Sequence, residues 1–120
     1  MPVSSLTTYR LTPAAQNDLA DIWLYTAQQW SVTQADRYTD ILEDTLERLL
    51  FMPEMARERP EFDPPFRIHA SADHLIIYHI ENDHLSVLRV LGARQDWQAI
   101  LRAVDQSRLA TRTLGAPASR

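Results

Sequence analysis

Cysteine is absent from this sequence, and so is lysine. The first absence excludes disulfides and thiolate metal sites and suits a reducing compartment. The second leaves all twelve basic residues as arginine, a pattern that fits genomic composition more than any one site. Glycine occurs only at positions 92 and 115, so no glycine-rich phosphate loop exists and nucleotide binding has no support. No Ser/His/Asp order points to a nucleophile. No stretch approaches eighteen apolar residues, and the opening "MPVSSLTTYR" has no apolar leader core. The reading therefore expects a soluble, cytoplasmic protein with no export signal and no membrane association.

What is present suits one globular domain. Hydrophobic residues make up 45% and charged residues 23% of 120, and a chain of this size buries roughly 65% of its unfolded surface. The domain is expected over residues 1–106. Residues 107–120 are small, polar and aperiodic, and read as a flexible tail. Net charge is −4 but unevenly spread: residues 1–56 carry −5, and residues 94–120 carry +3. No basic face emerges, so direct nucleic-acid binding is not expected.

The pattern along the chain predicts an α+β fold. "TTYRL" (7–11) is a short strand. Thr12 followed by Pro13 marks a helix start, and Ala15, Leu19, Ile22, Thr26 and Trp30 recur at helical spacing. Thr33 and Asp36 resemble a capping box for a second helix that runs to about Phe51, where Pro53 stops it. The two should form an antiparallel hairpin. "MPEMARERPEFDPP" (52–65), with four prolines, reads as a loop. Three strands follow near 66–70, 74–81 and 84–91, the last two joined by a turn at Asn82-Asp83, residues that tolerate φ > 0. A short helix begins around Asp96. The expected architecture is thus an N-terminal strand, a helical hairpin, a three-stranded antiparallel sheet completed by the N-terminal strand, and a short C-terminal helix.

The register of the last hairpin raises a question about Arg89. A two-residue loop pairs Glu81 with His84, and by alternation Ile76, Tyr78, Ile80, Leu85, Val87, Arg89 and Leu91 share one face. Leu75, Ile77, His79, Ser86, Leu88 and Val90 share the other. Both faces are apolar. The helical hairpin can cover one, leaving only the final helix or a partner for the other. Arg89 then sits in an apolar surround, either as a binding or catalytic cation or paired to a helix carboxylate.

Two metal patterns are weaker. His69, His74, His79 and His84 recur every five residues, and His79, Glu81 and His84 fall near the hairpin tip. Five is an odd spacing on a strand, so exposed hairpin polarity accounts for them better than a metal site. Asp40, Glu43, Asp44 and Glu47 read as a solvated helix face. No metal and no cofactor is expected.

Three stretches together resemble the ParE branch of the ParE/RelE toxin superfamily over about residues 8–101. They are "YRLTPAAQNDLADIWLYTAQQW", "ADRYTDILEDTLERLLFMPEMA" and "FRIHASADHLIIYHIENDHLSVLRVLGARQDW". The resemblance implies a bacterial toxin of a type II toxin–antitoxin pair, neutralised in a hetero-oligomer by a ParD-like antitoxin. The face carrying Ile76, Tyr78, Ile80, Leu85, Val87, Arg89 and Leu91 is then the expected antitoxin-binding face.

The superfamily also implies a choice of target. ParE-like members poison DNA gyrase, whereas RelE-like members are ribosome-dependent mRNA endonucleases. Strand cleavage through a 2′-hydroxyl needs a general base, a charge stabiliser and a general acid. Arg67, Tyr78 and Arg89 are the candidate set for that chemistry, but no lysine is present and Tyr78 would need a strongly perturbed pKa. Gly92 stands where many relatives carry His. Gyrase poisoning needs only a binding surface, for which Arg94, Trp97 and Arg102 are candidates. The reading favours a non-enzymatic gyrase inhibitor, with an mRNA interferase or a non-toxic decayed member as alternatives.

Overall fold

Thr12 opens the first helix in two ways at once. Its side chain accepts a hydrogen bond from Ala15 N at 3.1 Å, and Pro13 supplies the pre-set φ of a first helical residue. In the computed structural model, which describes residues 6–63 and 65–103, this start follows strand β1 (Thr8–Leu11) and begins helix α1 (Pro13–Gln29). Helix α2 (Val32–Phe51) is capped by Ser31, whose side chain accepts from Gln34 N at 3.0 Å. The expected capping box at Thr33 and Asp36 is therefore displaced, and Asp36 instead accepts from Trp23 Nε1 at 2.9 Å, tying the two helices together.

A sheet of five strands follows: β2 (Glu58–Arg59), β3 (Phe66–Ser71), β4 (His74–Ile80) and β5 (His84–Gly92) join β1 in the order β1-β5-β4-β3-β2. β1 runs parallel to β5, with Thr8 opposite His84; the other pairs are antiparallel. The expectation of a sheet completed by the N-terminal strand agrees with this order. Two features were not expected. The proline-rich stretch yields a two-residue edge strand, Glu58–Arg59, too short to show a period in sequence. The β3–β4 turn at Ala72-Asp73, not Asn82-Asp83, carries the positive φ: Ala72 sits at 54°, alone among the described non-glycine residues. Residues 97–103 are helical. The expected tail at 107–120 lies outside the described residues.

The β4–β5 register holds from Ile80 opposite Leu85 to Tyr78 opposite Val87, then slips by one, so that Ile77 faces Arg89. Leu88 is the extra residue of a β-bulge. A bulge reverses the alternation beyond it, so Val90, not Arg89 or Leu91, joins Ile76, Tyr78, Leu85 and Val87 on the helix-facing side with Ala15, Leu42, Leu46 and Leu49. The opposite side gathers Phe62, Phe66, Ile77, Leu91 and Leu101, with Leu88 and Trp97 partly buried against them. The C-terminal helix and the loop before β3 thus cover the second face from within the chain, and the predicted single face is split between two cores.

A left-handed backbone at a residue bearing Cβ is strained. Ala72→Gly should raise stability by about 0.5–1 kcal/mol, seen as a higher urea midpoint with an unchanged m-value.

Candidate functional site

The sequence draws most attention to Arg89, and the structure gives it an internal partner. Asp18, on the sheet-facing side of α1, accepts from Arg89 Nε at 2.7 Å and Nη2 at 2.9 Å. The same carboxylate accepts from Val90 N at 2.9 Å. The two side chains are only 13% and 23% exposed. Three hydrogen bonds thus converge on one carboxylate, and this pairing raises the Arg89 pKa further, opposed by burial. On the other side of the bulge, Thr12 Oγ1 donates to Leu88 O at 2.8 Å and Thr12 N donates to Val87 O at 3.0 Å. The first turns of α1 therefore satisfy the backbone groups that the bulge withdraws from the ladder. Arg89 is part of a helix-to-strand clamp.

Tyr78 is equally committed. It has no exposed surface, and its hydroxyl donates to Pro53 O at 2.7 Å. Burial pushes its pKa up to about 12, with the nearby Arg67 opposing. Arg67 lies opposite Tyr78 in the β3–β4 pair and donates to Ala56 O at 2.7 Å. A phenol that loses its proton only near pH 12 is the reverse of a general base poised near neutrality. The set Arg67, Tyr78 and Arg89 is placed as braces between strands, loop and helix.

The expected antitoxin-binding face is not a surface of the folded chain. Ile76, Tyr78, Leu85 and Val87 are 0% exposed and lie against the α1–α2 hairpin. Leu91 belongs to the opposite core, Ile80 is half-buried, and Arg89 is held by Asp18. The sequence reading took the hairpin register as unbroken and left this face for a partner, whereas the helical hairpin covers most of it. The candidate target residues also part company. Arg94 and Arg102 are exposed, whereas Trp97 packs on the second core with the Arg59 guanidinium 5.5 Å from its ring centre.

An open cleft of about 920 Å³ lies between the tip of the helical hairpin and the adjacent end of the sheet. α1 contributes Asp21 and Tyr25, the interhelical turn Trp30, α2 Tyr38, the β3–β4 turn Asp73, the start of β4 His74, the end of β5 Gly92, and the segment after it Arg94. Its base is organised by Tyr38, whose hydroxyl accepts from Asp73 N at 3.0 Å and lies 2.6 Å from His74 Nδ1. The Tyr38 hydroxyl and His74 Nδ1 share one short hydrogen bond at the base of the cleft. Burial holds the His74 pKa below its usual value, so the ring is neutral at pH 7. Gly92 N donates to Gln95 Oε1 at 2.7 Å. A Cβ at Gly92 would meet only that flexible side chain, at 3.2 Å, so backbone geometry does not demand glycine there.

The histidines separate. His79 Nε2 lies 2.8 Å from Glu81 Oε2, His84 Nδ1 lies 3.1 Å from Asp83 Oδ1, and His74 serves Tyr38. Among the described residues no group of three His, Cys, Asp or Glu side chains is placed to share a metal ion. Asp18 and the cleft were missed from sequence. Asp18 did leave a signal: it falls three residues after Ala15 in the apolar stripe of α1, an opposite charge in the element expected to cover Arg89. The Tyr38–His74 contact joins residues 36 positions apart and leaves no local pattern.

Known proteins share both fold and sequence with this chain. A solved chain described as "Chromosomal ParDE TA system from P. aeruginosa" superposes with a TM-score of 0.64, covering 74% of this chain and 97% of its own length at 14% identity. That likeness defines the fold. The sequence goes further, because the model of the family "ParE toxin of type II toxin-antitoxin system, parDE" matches residues 9–97. Toxin ParE1 of Mycobacterium tuberculosis (strain ATCC 25618 / H37Rv) is 34% identical over 89 residues, 73% of this chain and 91% of that protein. Toxin ParE1 of Caulobacter vibrioides (strain ATCC 19089 / CIP 103742 / CB 15) is 35% identical over 93 residues, 78% and 96% respectively. The chain belongs to the ParE toxin family of type II toxin–antitoxin systems. No helix among the described residues is long and apolar enough to cross a membrane.

Removing the Asp18 charge leaves Arg89 and Val90 N with weakened partners. Asp18→Asn should cost about 2–4 kcal/mol in chemical denaturation, more than Arg89→Met, which leaves Asp18 its bond to Val90 N. Tyr78 makes a separate prediction about pH. Its folded pKa is about 12 against an unfolded value of 10.0, so the fold favours the protonated ring. That stabilisation, roughly 2–3 kcal/mol, is complete below about pH 10 and is lost as pH rises through about 12. Alkaline denaturation with tyrosine absorbance should show this window, and Tyr78→Phe should abolish its contribution.

Proposed function

We propose that this protein acts as a toxin by binding its target, DNA gyrase, without catalysing a reaction, and that a ParD-like antitoxin silences it in a hetero-oligomer. The observation that carries the non-enzymatic half is the fate of Arg67, Tyr78 and Arg89. The phenol is sealed, deprotonates near pH 12 and donates to Pro53 O. The Arg89 guanidinium is neutralised by Asp18. Neither group is free to stabilise or transfer charge on a phosphodiester. The −4 charge of the chain also opposes an RNA surface. Membership of the ParE family supports gyrase as target and the antitoxin as partner, and the exposed Arg94 and Arg102 remain the candidate gyrase contacts.

Gyrase supercoiling assays with purified protein test this reading. Inhibition at stoichiometric toxin, relieved by antitoxin, is expected, and no ribosome-dependent cleavage of mRNA. Tyr78→Phe, if it folds, should inhibit as the wild type does. Cleavage of ribosome-bound mRNA that Tyr78→Phe abolishes would establish the interferase instead.

A further inference from the structure

The half-buried basic side chains divide into two groups. Arg59, Arg89, His79 and His84 each meet a carboxylate, and His74 meets the Tyr38 hydroxyl. Arg67 and His69, also half-buried, are bridged by no carboxylate among the described residues. They stand two residues apart on β3, opposite Tyr78 and Ile76, so both point to the helix side of the sheet. A guanidinium drawn partly out of water without a counter-charge is costly.

A second arginine reaches the same place from α2. Arg48, in the last turn of that helix, donates through Nη2 to Thr45 Oγ1 at 3.3 Å. Thr45 Oγ1 in turn lies 2.7 Å from Ser71 Oγ. Ser71 is two residues beyond His69 on β3, so this contact sets Arg48 beside the His69 ring. Burial, and then the Arg48 charge, hold the His69 pKa below its usual value. Two carboxylates are near in position: Glu58 opposite Arg67 on β2, and Asp44 one turn before Arg48. Both are exposed, and neither bridges to either arginine. Within the described fold Arg67 spends one N–H on Ala56 O at 2.7 Å and Arg48 one on Thr45, which leaves most of each fork unspent. β2 pairs only with Phe66 and Arg67, so the outer edge of β3 beyond them is open among the described residues.

We infer that Arg48, Arg67 and His69 form a binding site for one phosphate group carried by a small molecule. Guanidinium forks match phosphate oxygens bidentately, and the protonated imidazole adds a donor to a further oxygen. The dianion supplies the counter-charge that the three side chains lack. The net charge of −4 restricts the ligand to a single phosphate, because a polynucleotide needs a track of such contacts. The site is independent of the gyrase reading, which stands whether or not phosphate binds here.

The test follows the His69 ring of the full chain by NMR. Inorganic phosphate at neutral pH should move its Cε1–H signal saturably, with half-saturation on the order of 1 mM. A nucleoside 5′-monophosphate should do the same. Sulfate, whose double charge stays constant across the titration, should raise the His69 midpoint by about one pH unit, while His84, already paired to Asp83, keeps its own. Arg48→Gln should weaken phosphate binding roughly tenfold, and Arg10→Gln, exposed on β1 at the far edge of the sheet, should leave it unchanged. Thermal midpoints of both variants check that they fold, and the wild-type sulfate titration decides the matter even if Arg48→Gln does not. No saturable shift, no change of the His69 midpoint, or equal affinity of the two variants overturns the site. Tighter binding of a single-stranded oligonucleotide without terminal phosphates than of inorganic phosphate assigns the group to a nucleic-acid backbone and also overturns it.

Discussion

The carboxylate of Asp18 holds the molecule together at the point where its sheet departs from regularity. A bulge at Leu88 removes backbone groups from the ladder and turns β5 over in mid-strand. Asp18 accepts from Val90 N and from the Arg89 guanidinium, and Thr12 takes the carbonyls of Val87 and Leu88. One helix start thereby answers both sides of the irregularity. The turnover lets a single strand give Leu85, Val87 and Val90 to one core and Leu91 to the other. A small chain can then build two apolar layers on one sheet. Without a partner for the bulge, the unpaired amide and guanidinium would oppose that arrangement.

Much of this architecture was legible in the sequence because it rests on local signals. The Thr12-Pro13 start, the stop before Pro53 and the apolar stripes of both helices follow from capping and period. The β4–β5 turn followed from the spacing of its flanking strands. What was not legible depends on tertiary partners. Nothing local in "SVLRVLG" announces that Leu88 is an insertion, since an unbroken alternation fits equally well. That single residue misplaced Arg89 and Leu91 and made a sealed face look like a binding surface. Ser31 with Gln34 fits the capping-box spacing as well as Thr33 with Asp36 does, and it is Ser31 that caps α2.

The site followed the same division. That Arg89 matters was readable from a charge set in an apolar strand; that it matters to the fold needed the position of Asp18 across 71 residues. The apolar surface that remains open is the back of the helical hairpin, which sequence periodicity assigned wholly to core and solvated acid. Trp30 closed the predicted apolar stripe, yet it stands 76% exposed beside a cleft. The residues that look reactive in the sequence are thus consumed as internal braces.

The parallel pairing of β1 with β5 joins Thr8 to His84 across nearly the whole described chain. During synthesis the first strand and both helices emerge long before the strand that lies between them and the rest of the sheet. Until roughly the ninety-second residue clears the ribosomal tunnel, β1 has no neighbour and Asp18 has no arginine. Closure of the fold therefore waits on its most distant strand pairing, and a chain lacking β5 would hold neither the sheet nor the Asp18 clamp.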